Sequence, residues 1–199
     1  MIPHRISVKF FVTEPDRVDL DAIIPVFHQW IQQSAVPGML IDVADYRHMT
    51  NGPGVLLVGQ DVDYAMDLGG GRPGLLPTSK RSSADRLGER LADAFNAGLL
   101  ACTLLSADAA LGGAIRFHTD QVELTLMDRL AAPNRAATFD EFRGEIETFV
   151  DALYEGTSWS IERDEEDERR CLTVRISAPG APNVQTLTQR VRTGVSSAG

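Results

Sequence analysis

The spacing of apolar residues along this chain switches repeatedly between a period of two and a period of about 3.6. Apolar residues alternate with polar or neutral ones over residues 6–12, which predicts a half-buried β-strand. They then recur at helical spacing over residues 23–31, after a helix N-cap type of residue at Asp19. Strand-like spacing returns in three further segments, residues 39–46, 55–58 and 62–68. This mixture predicts an α+β fold.

The second half of the chain shows a similar mixture. The alternation changes phase between residues 115–117 and 122–126, which predicts a hairpin with its turn at 118–121. The residues from Thr138 match a capping box, so a helix is predicted to open there. Two strands around an acidic turn follow, and then a short helix capped by Asn183.

The order strand, helix, strand, strand therefore occurs twice, at about residues 5–60 and 121–177. Phe27 in the first segment corresponds to Phe142 in the second, although identity between the segments is negligible. Two explanations stay open: an internal duplication, or the frequent use of βαββ units by unrelated α+β proteins. In either case we expect a mainly antiparallel sheet of six to seven strands with three to four helices on one face.

Length and composition predict one globular domain. A chain of 199 residues, 43% of them apolar, can bury a large core without disulfides. We expect a single domain over residues 1–193 and a flexible tail at 194–199. The two cysteines, Cys102 and Cys171, predict reduced thiols. Because the N-terminal residues form a strand pattern and not a signal peptide, we expect a cytoplasmic protein.

The charge of the chain argues against two classes of partner. Acidic residues outnumber basic ones 28 to 19, so the net charge is −9. Binding to nucleic-acid phosphates needs clustered Lys and Arg, and an acidic surface is also repelled by anionic membranes. No segment approaches the length of apolar sequence that spans a bilayer. We therefore expect no nucleic-acid partner and no membrane partner.

The first candidate functional site is the polar end of the second predicted strand. Residues two apart in a strand share a face, so Asp42, Tyr46 and His48 would line one side of it. A carboxylate, a phenol and an imidazole together can carry out general acid–base catalysis. The alternative is a solvated strand end where these groups make only surface contacts.

The second candidate site is the glycine-rich basic segment at residues 69–81. Glycine backbone can turn N–H groups toward an anion, and a helix is predicted to start beside it, at residues 82–83. The predicted anion-binding residues are Gly70, Gly71, Arg72, Lys80 and Arg81. The segment lacks the residue spacing of a P-loop. The alternative is a flexible linker that carries solubilising charge.

No pattern in the sequence indicates a metal or a cofactor. None of the four histidines shares a short metal-binding spacing with another His or Cys. The acidic residues at 164–168 lack the alternating ligands and the glycine bend of a calcium-binding loop. We expect neither a metal site nor a bound cofactor.

The first predicted helix carries a broad apolar stripe. Its members are Ile23, Ile24, Phe27, Trp30 and Ile31. A stripe this wide favours self-association, most simply as a homodimer. The alternative is that the excess apolar surface packs under the long second helix.

Three classes of function remain open. The sequence favours a non-enzymatic binding or interaction protein, homo-oligomeric, with an anionic small molecule or another protein as partner. The alternatives are a small enzyme that acts on an anionic metabolite by general acid–base catalysis and a structural subunit of a larger assembly. The binding protein is preferred because no group of residues has a spacing specific to catalysis.

Overall fold

Residues 2–49 and 52–196, which the computed structural model describes, form eight β-strands in one sheet and four α-helices. The strands are β1 (Ile6–Val12), β2 (Leu40–Asp45), β3 (Val55–Gly59), β4 (Val62–Asp67), β5 (Gly74–Ser79), β6 (Phe117–Leu126), β7 (Ser160–Arg163) and β8 (Leu172–Ser177). The helices are α1 (Leu20–Gln33), α2 (Leu87–Ala107), α3 (Ala136–Leu153) and α4 (Val184–Ser196).

The sheet is antiparallel, with the strand order β2-β3-β4-β5-β1-β6-β8-β7. All seven residues of the central strand β1 are buried. The predicted α+β class is confirmed, and the sheet has more strands than the six or seven expected. The difference arises in the glycine-rich segment, where residues 74–79 form the interior strand β5. Glycine and proline in this segment obscure its strand character in the sequence.

The helices pack on one face of the sheet. α1 contacts β2 and β3, while α2 lies across β1 and β5. α3 and α4 pack beside α2, and α3 also contacts β7. This arrangement encloses the core between the sheet and the helix layer, with α4 lying against α2 and α3.

The two halves of the chain have related topologies. β4 and β5 lie beside β1 in the same order as β7 and β8 lie beside β6, and β1 pairs antiparallel with β6 at the centre. In each half a helix follows the first strand and another follows the last. The hairpin of β2 and β3 has no counterpart in the second half. The internal duplication stays a prediction that this topology favours.

Two local predictions in the second half are wrong. The expected hairpin at residues 118–121 is a continuous part of β6, and a shift in pairing between Phe10 and Val12 absorbs the change of phase. α3 begins at Ala136, before the expected capping box, so Thr138 is a buried residue of its first turn.

Two other local predictions hold. The Asp19 side chain accepts a hydrogen bond from the N–H of Asp21 and caps α1. The Asn183 side chain accepts one from the N–H of Thr186 at the start of α4. α4 continues through Ser196, and residues 197–199 of the predicted tail lie outside the described part of the chain.

None of the helices in residues 2–49 and 52–196 combines the length and the apolar character needed to cross a lipid bilayer. Both cysteines are free thiols. Burial raises the pKa of the Cys102 thiol well above its usual range, because the charged thiolate is disfavoured in the apolar core.

Candidate functional site

The predicted acid–base residues at the end of β2 do not share a strand face. The strand ends at Asp45, so Tyr46 and His48 lie in the following turn, where their rings are 6.4 Å apart. The exposed Asp42 side chain accepts a hydrogen bond from the N–H of its neighbour Val43 at 2.8 Å. Within the described part of the chain, no hydrogen bond joins His48 to a carboxylate.

Arg47, which the sequence analysis did not single out, organises this strand end. Its Nε and Nη2 atoms donate to the Asp45 carboxylate at 2.9 and 2.6 Å, and Nη1 donates to Asp21 in α1. These hydrogen bonds from Arg47 lower the pKa of Asp45 to about 2. Arg47 thus ties the end of β2 to the start of α1, which is a structural role.

The structure separates the predicted anion-binding residues into two groups. Gly70, Gly71 and Arg72 precede β5, whereas Lys80 and Arg81 follow it. At about 3.3 Å per residue of strand, Arg72 and Lys80 are more than 20 Å apart, too far to hold one small anion.

The second group is not arranged around an anion site. Lys80 Nζ donates to the Asp63 carboxylate at 2.8 Å and to the Gly59 carbonyl at 2.5 Å. Arg81 is exposed. α2 begins at Leu87, so residues 82–83 do not form the expected helix N-terminus. The first group meets other polar side chains at a cavity.

Arg72 lies at a small cleft between the end of β1, the start of β6 and the turn formed by Gly69–Gly71, which we call the glycine turn. The centre of its guanidinium is 3.7 Å from the centroid of the Phe11 ring, and Nη2 donates to Gln121 Oε1 at 2.9 Å. The cleft has a volume of about 160 Å³, and His118 and Gly71 also line it. Arg72 was among the predicted anion-binding residues, but its contact with β6 was not predicted.

His118 is held by a carboxylate on the same strand. Its Nδ1 atom is 3.0 Å from Asp120 Oδ1. The Tyr154 hydroxyl at the end of α3 donates to the Thr119 carbonyl at 2.9 Å, and this hydrogen bond ties β6 to α3 next to His118. Burial raises the pKa of Tyr154, and the negative charge of Asp120 adds to the shift. The only signal in the sequence was the spacing of His118 and Asp120, two apart in a strand.

The glycine turn is anchored by a buried ion pair. Lys9 Nζ lies 2.5 Å from the Asp67 carboxylate and donates to the Gly69 carbonyl at 2.9 Å. Asp67 in turn accepts a hydrogen bond from the N–H of Gly69 at 3.1 Å. Gly70 adopts φ of 70°, a left-handed conformation that glycine reaches without strain. These contacts hold the turn that carries Arg72.

A larger cavity lies on the helical side of the molecule. This interhelical groove, between α2, α3 and α4, has a volume of about 350 Å³. Its lining residues are Arg86, Gly88, Glu89, Ala92, Gly144, Glu145, Thr148, Phe149, Ala152, Leu153, Arg190 and Val191. The groove was not predicted, because its lining comes from three helices that are distant from one another in sequence. The signal present was glycine inside two predicted helices.

Small residues and one aromatic ring give the groove its shape. Added Cβ atoms at Gly88 and Gly144 would have no neighbour within 4 Å, so both glycines leave open space in the groove. Phe149 packs against Phe95 with their ring centroids 4.8 Å apart, which holds the Phe149 ring in place. Arg190 Nη1 donates to the Leu153 carbonyl at 3.1 Å, and this hydrogen bond joins α4 to the end of α3 at the groove.

Comparison with models of known protein families and with curated proteins finds no match for this chain. No group of three or more His, Cys, Asp or Glu side chains in residues 2–49 and 52–196 is placed to hold a metal ion.

Proposed function

We propose that this chain is a non-enzymatic binding protein and that its ligand is a small, mainly apolar molecule in the interhelical groove. The observation that carries the proposal is the groove volume of about 350 Å³. Small-molecule sites have volumes of roughly 300–1,000 Å³ and mainly apolar linings with a few polar groups. The groove fits this description better than the cleft at Arg72, which has a volume of about 160 Å³.

The lining of the groove indicates the chemistry of the ligand. Ala92, Phe149 and Val191 offer apolar surface, and Phe149 offers an aromatic ring on which a planar group can stack. Two arginines and two glutamates, Arg86, Arg190, Glu89 and Glu145, also line the groove. A ligand with an apolar body and a polar end satisfies both parts of this surface.

The enzyme alternative has less support. Asp42, Tyr46 and His48 remain predicted catalytic residues, but Asp42 and His48 are exposed, Tyr46 is half-buried, and none of the three lines the groove or the cleft at Arg72. General acid–base catalysis needs its groups within hydrogen-bond reach of a bound substrate. A structural subunit of a larger assembly remains the third possibility, and it would need no small-molecule cavity.

Homodimer formation and a cytoplasmic location belong to the same proposal. The apolar stripe of α1 packs against the sheet rather than under α2, with the Trp30 and Tyr64 ring centroids 6.2 Å apart. The better candidate for self-association is therefore the sheet face opposite the helices, where Leu56, Val58 and Leu76 are half-buried. The two free thiols support a reducing compartment.

The test is to fill the groove and measure binding of a small apolar probe. Gly144→Leu places an isobutyl group in the groove without meeting any atom at the Cβ position. Leu also favours a helix by about 0.8 kcal/mol over Gly, so the variant should remain folded. We expect the wild type to bind one molecule of anilinonaphthalene sulfonate, measured by fluorescence titration, and Gly144→Leu to bind it at least about tenfold more weakly.

The matched control is Ala137→Leu, an exposed position of α3 outside the groove lining. It adds apolar surface to the same helix and should leave the affinity of the probe unchanged. The proposal is wrong if the folded wild type does not bind the probe, or if Gly144→Leu and Ala137→Leu bind it equally well. Light scattering on the same preparations measures whether the chain is a dimer.

A further inference from the structure

We propose that the cleft beside Arg72 is a second binding site, for a phosphate group, separate from the interhelical groove. Arg72 from the glycine turn and His118 from β6 both line this cleft, and neither residue lines the groove. Its volume of about 160 Å³ suits one small ionic group and leaves the remainder of a larger ligand in solvent. The shared chemistry is a phosphate group, whether inorganic phosphate or a phosphate ester.

The position of Arg72 leaves most of its hydrogen-bond donors free. A guanidinium has five N–H groups, all of which point outward in its plane. The contact with Phe11 is made by the centre of the guanidinium, 3.7 Å from the ring centroid, and Gln121 accepts from Nη2 alone. Both contacts hold the guanidinium, so its remaining N–H groups can bind two phosphate oxygens with little loss of side-chain freedom.

His118 makes the cleft suited to phosphate in particular. Asp120 occupies Nδ1 and leaves Nε2 without a hydrogen-bond partner in the described part of the chain. A phosphate ester exchanges its last proton near pH 6, so a proton can lie either on the phosphate oxygen or on the imidazole. In both arrangements a hydrogen bond forms between them. A sulfate ion carries no proton at neutral pH and lacks the first arrangement.

The neighbouring charges allow an anion to bind. The nearest buried cation, Lys9, is neutralised by Asp67 at 2.5 Å, and Asp120 is engaged with His118 at 3.0 Å. Arg72 has no carboxylate partner in the described residues, because its polar contact is the neutral amide of Gln121. Arg72 therefore keeps a positive charge at the cleft that no carboxylate of the described residues neutralises.

The test is titration of the full chain with inorganic phosphate at constant ionic strength. Calorimetry measures the affinity, and the imidazole NMR signals of His118 show whether phosphate binds beside this residue. Arg72→Met keeps an apolar side chain over Phe11 but removes the charge and all N–H donors. We expect it to weaken phosphate binding at least about tenfold. Arg116→Met is the matched control, because Arg116 is exposed nearby, is absent from the cleft lining, and loses the same charge.

Three results would overturn the proposal. The first is that the wild type binds no phosphate at concentrations up to about 100 mM, which is roughly 100-fold above the millimolar Kd of a weak anion site. The second is an equal loss of affinity in Arg72→Met and Arg116→Met, which would indicate only general charge attraction. The third is equal binding of sulfate, which would contradict the assignment to phosphate. The proposal is supported if Arg72→Met binds phosphate at least about tenfold more weakly than Arg116→Met does, and if phosphate shifts the NMR signals of His118.

Discussion

The Lys9–Asp67 ion pair is the most buried pair of opposite charges in the described part of the chain, with side-chain exposures of 7% and 13%. Lys9 occupies a polar position in the alternating pattern of β1, where the sequence predicts solvent exposure. The structure buries it between the neighbouring strands and the glycine turn. Breaking such a pair leaves one charge desolvated without compensation.

We therefore expect Lys9→Met to lower the free energy of unfolding by about 3 kcal/mol, because it strands the Asp67 carboxylate. The double variant Lys9→Met with Asp67→Asn should recover most of this loss. Urea denaturation measures both values. The control is Arg143→Met, which breaks the exposed Arg143–Glu147 pair and should leave the free energy of unfolding nearly unchanged, because exposed ion pairs contribute little to stability. Equal costs for Lys9→Met and Arg143→Met would contradict a buried pair.

Within α2, two glycines that look alike in the sequence have opposite roles. A Cβ added at Gly98 would lie 2.3 Å from Phe10 Cε2 and 2.9 Å from Pro77 Cγ. The helix therefore approaches β1 and β5 so closely at this position that only glycine fits. Gly88 lies in the first turn of α2 and borders the interhelical groove. A Cβ added there would have no neighbour within 4 Å.

This difference predicts opposite effects of one substitution. Gly98→Ala should lower the free energy of unfolding by about 1–3 kcal/mol, because overpacking outweighs the gain in helix propensity. Gly88→Ala should raise it by up to about 1 kcal/mol, because only the gain applies. Chemical denaturation of the two variants and the wild type measures both shifts. A stabilising Gly98→Ala would show that α2 does not pack closely against the sheet.

The sheet as a whole should open from its edges. β1 is buried along its full length and is paired on both sides, whereas β2 and β7 each have one unpaired edge. We expect backbone amides of β1 to exchange with solvent only through global unfolding, at least about a thousandfold more slowly than those of β2. Hydrogen exchange followed by mass spectrometry measures this. Similar exchange rates in β1 and β2 peptides would contradict the arrangement of strands.

The predictions that held rest on interactions between residues close together in the chain. Alternation identified β1 as a strand, although both of its faces are buried and the expected half-burial is wrong. Helical spacing after Asp19 identified α1, because the face of a helix that packs on the core is apolar. β5 was not predicted, because its residues show no strand-like alternation. It is buried because it pairs with β1 on one side and with β4 on the other. The change of phase in β6 was real, but the sequence did not distinguish a pairing shift from a turn.

The candidate sites divide in the same way. The sequence identified Arg72 in a glycine-rich basic segment, since residue type and local spacing are visible without the fold. It could not place His118 beside Arg72, because these residues are 46 positions apart and meet only where β6 reaches the glycine turn. The sequence by itself determined the α+β class, two helix caps and an acidic chain with a local basic turn. Only the tertiary structure decided which side chains share a cavity, because that depends on the order of strands and the packing of helices distant in sequence.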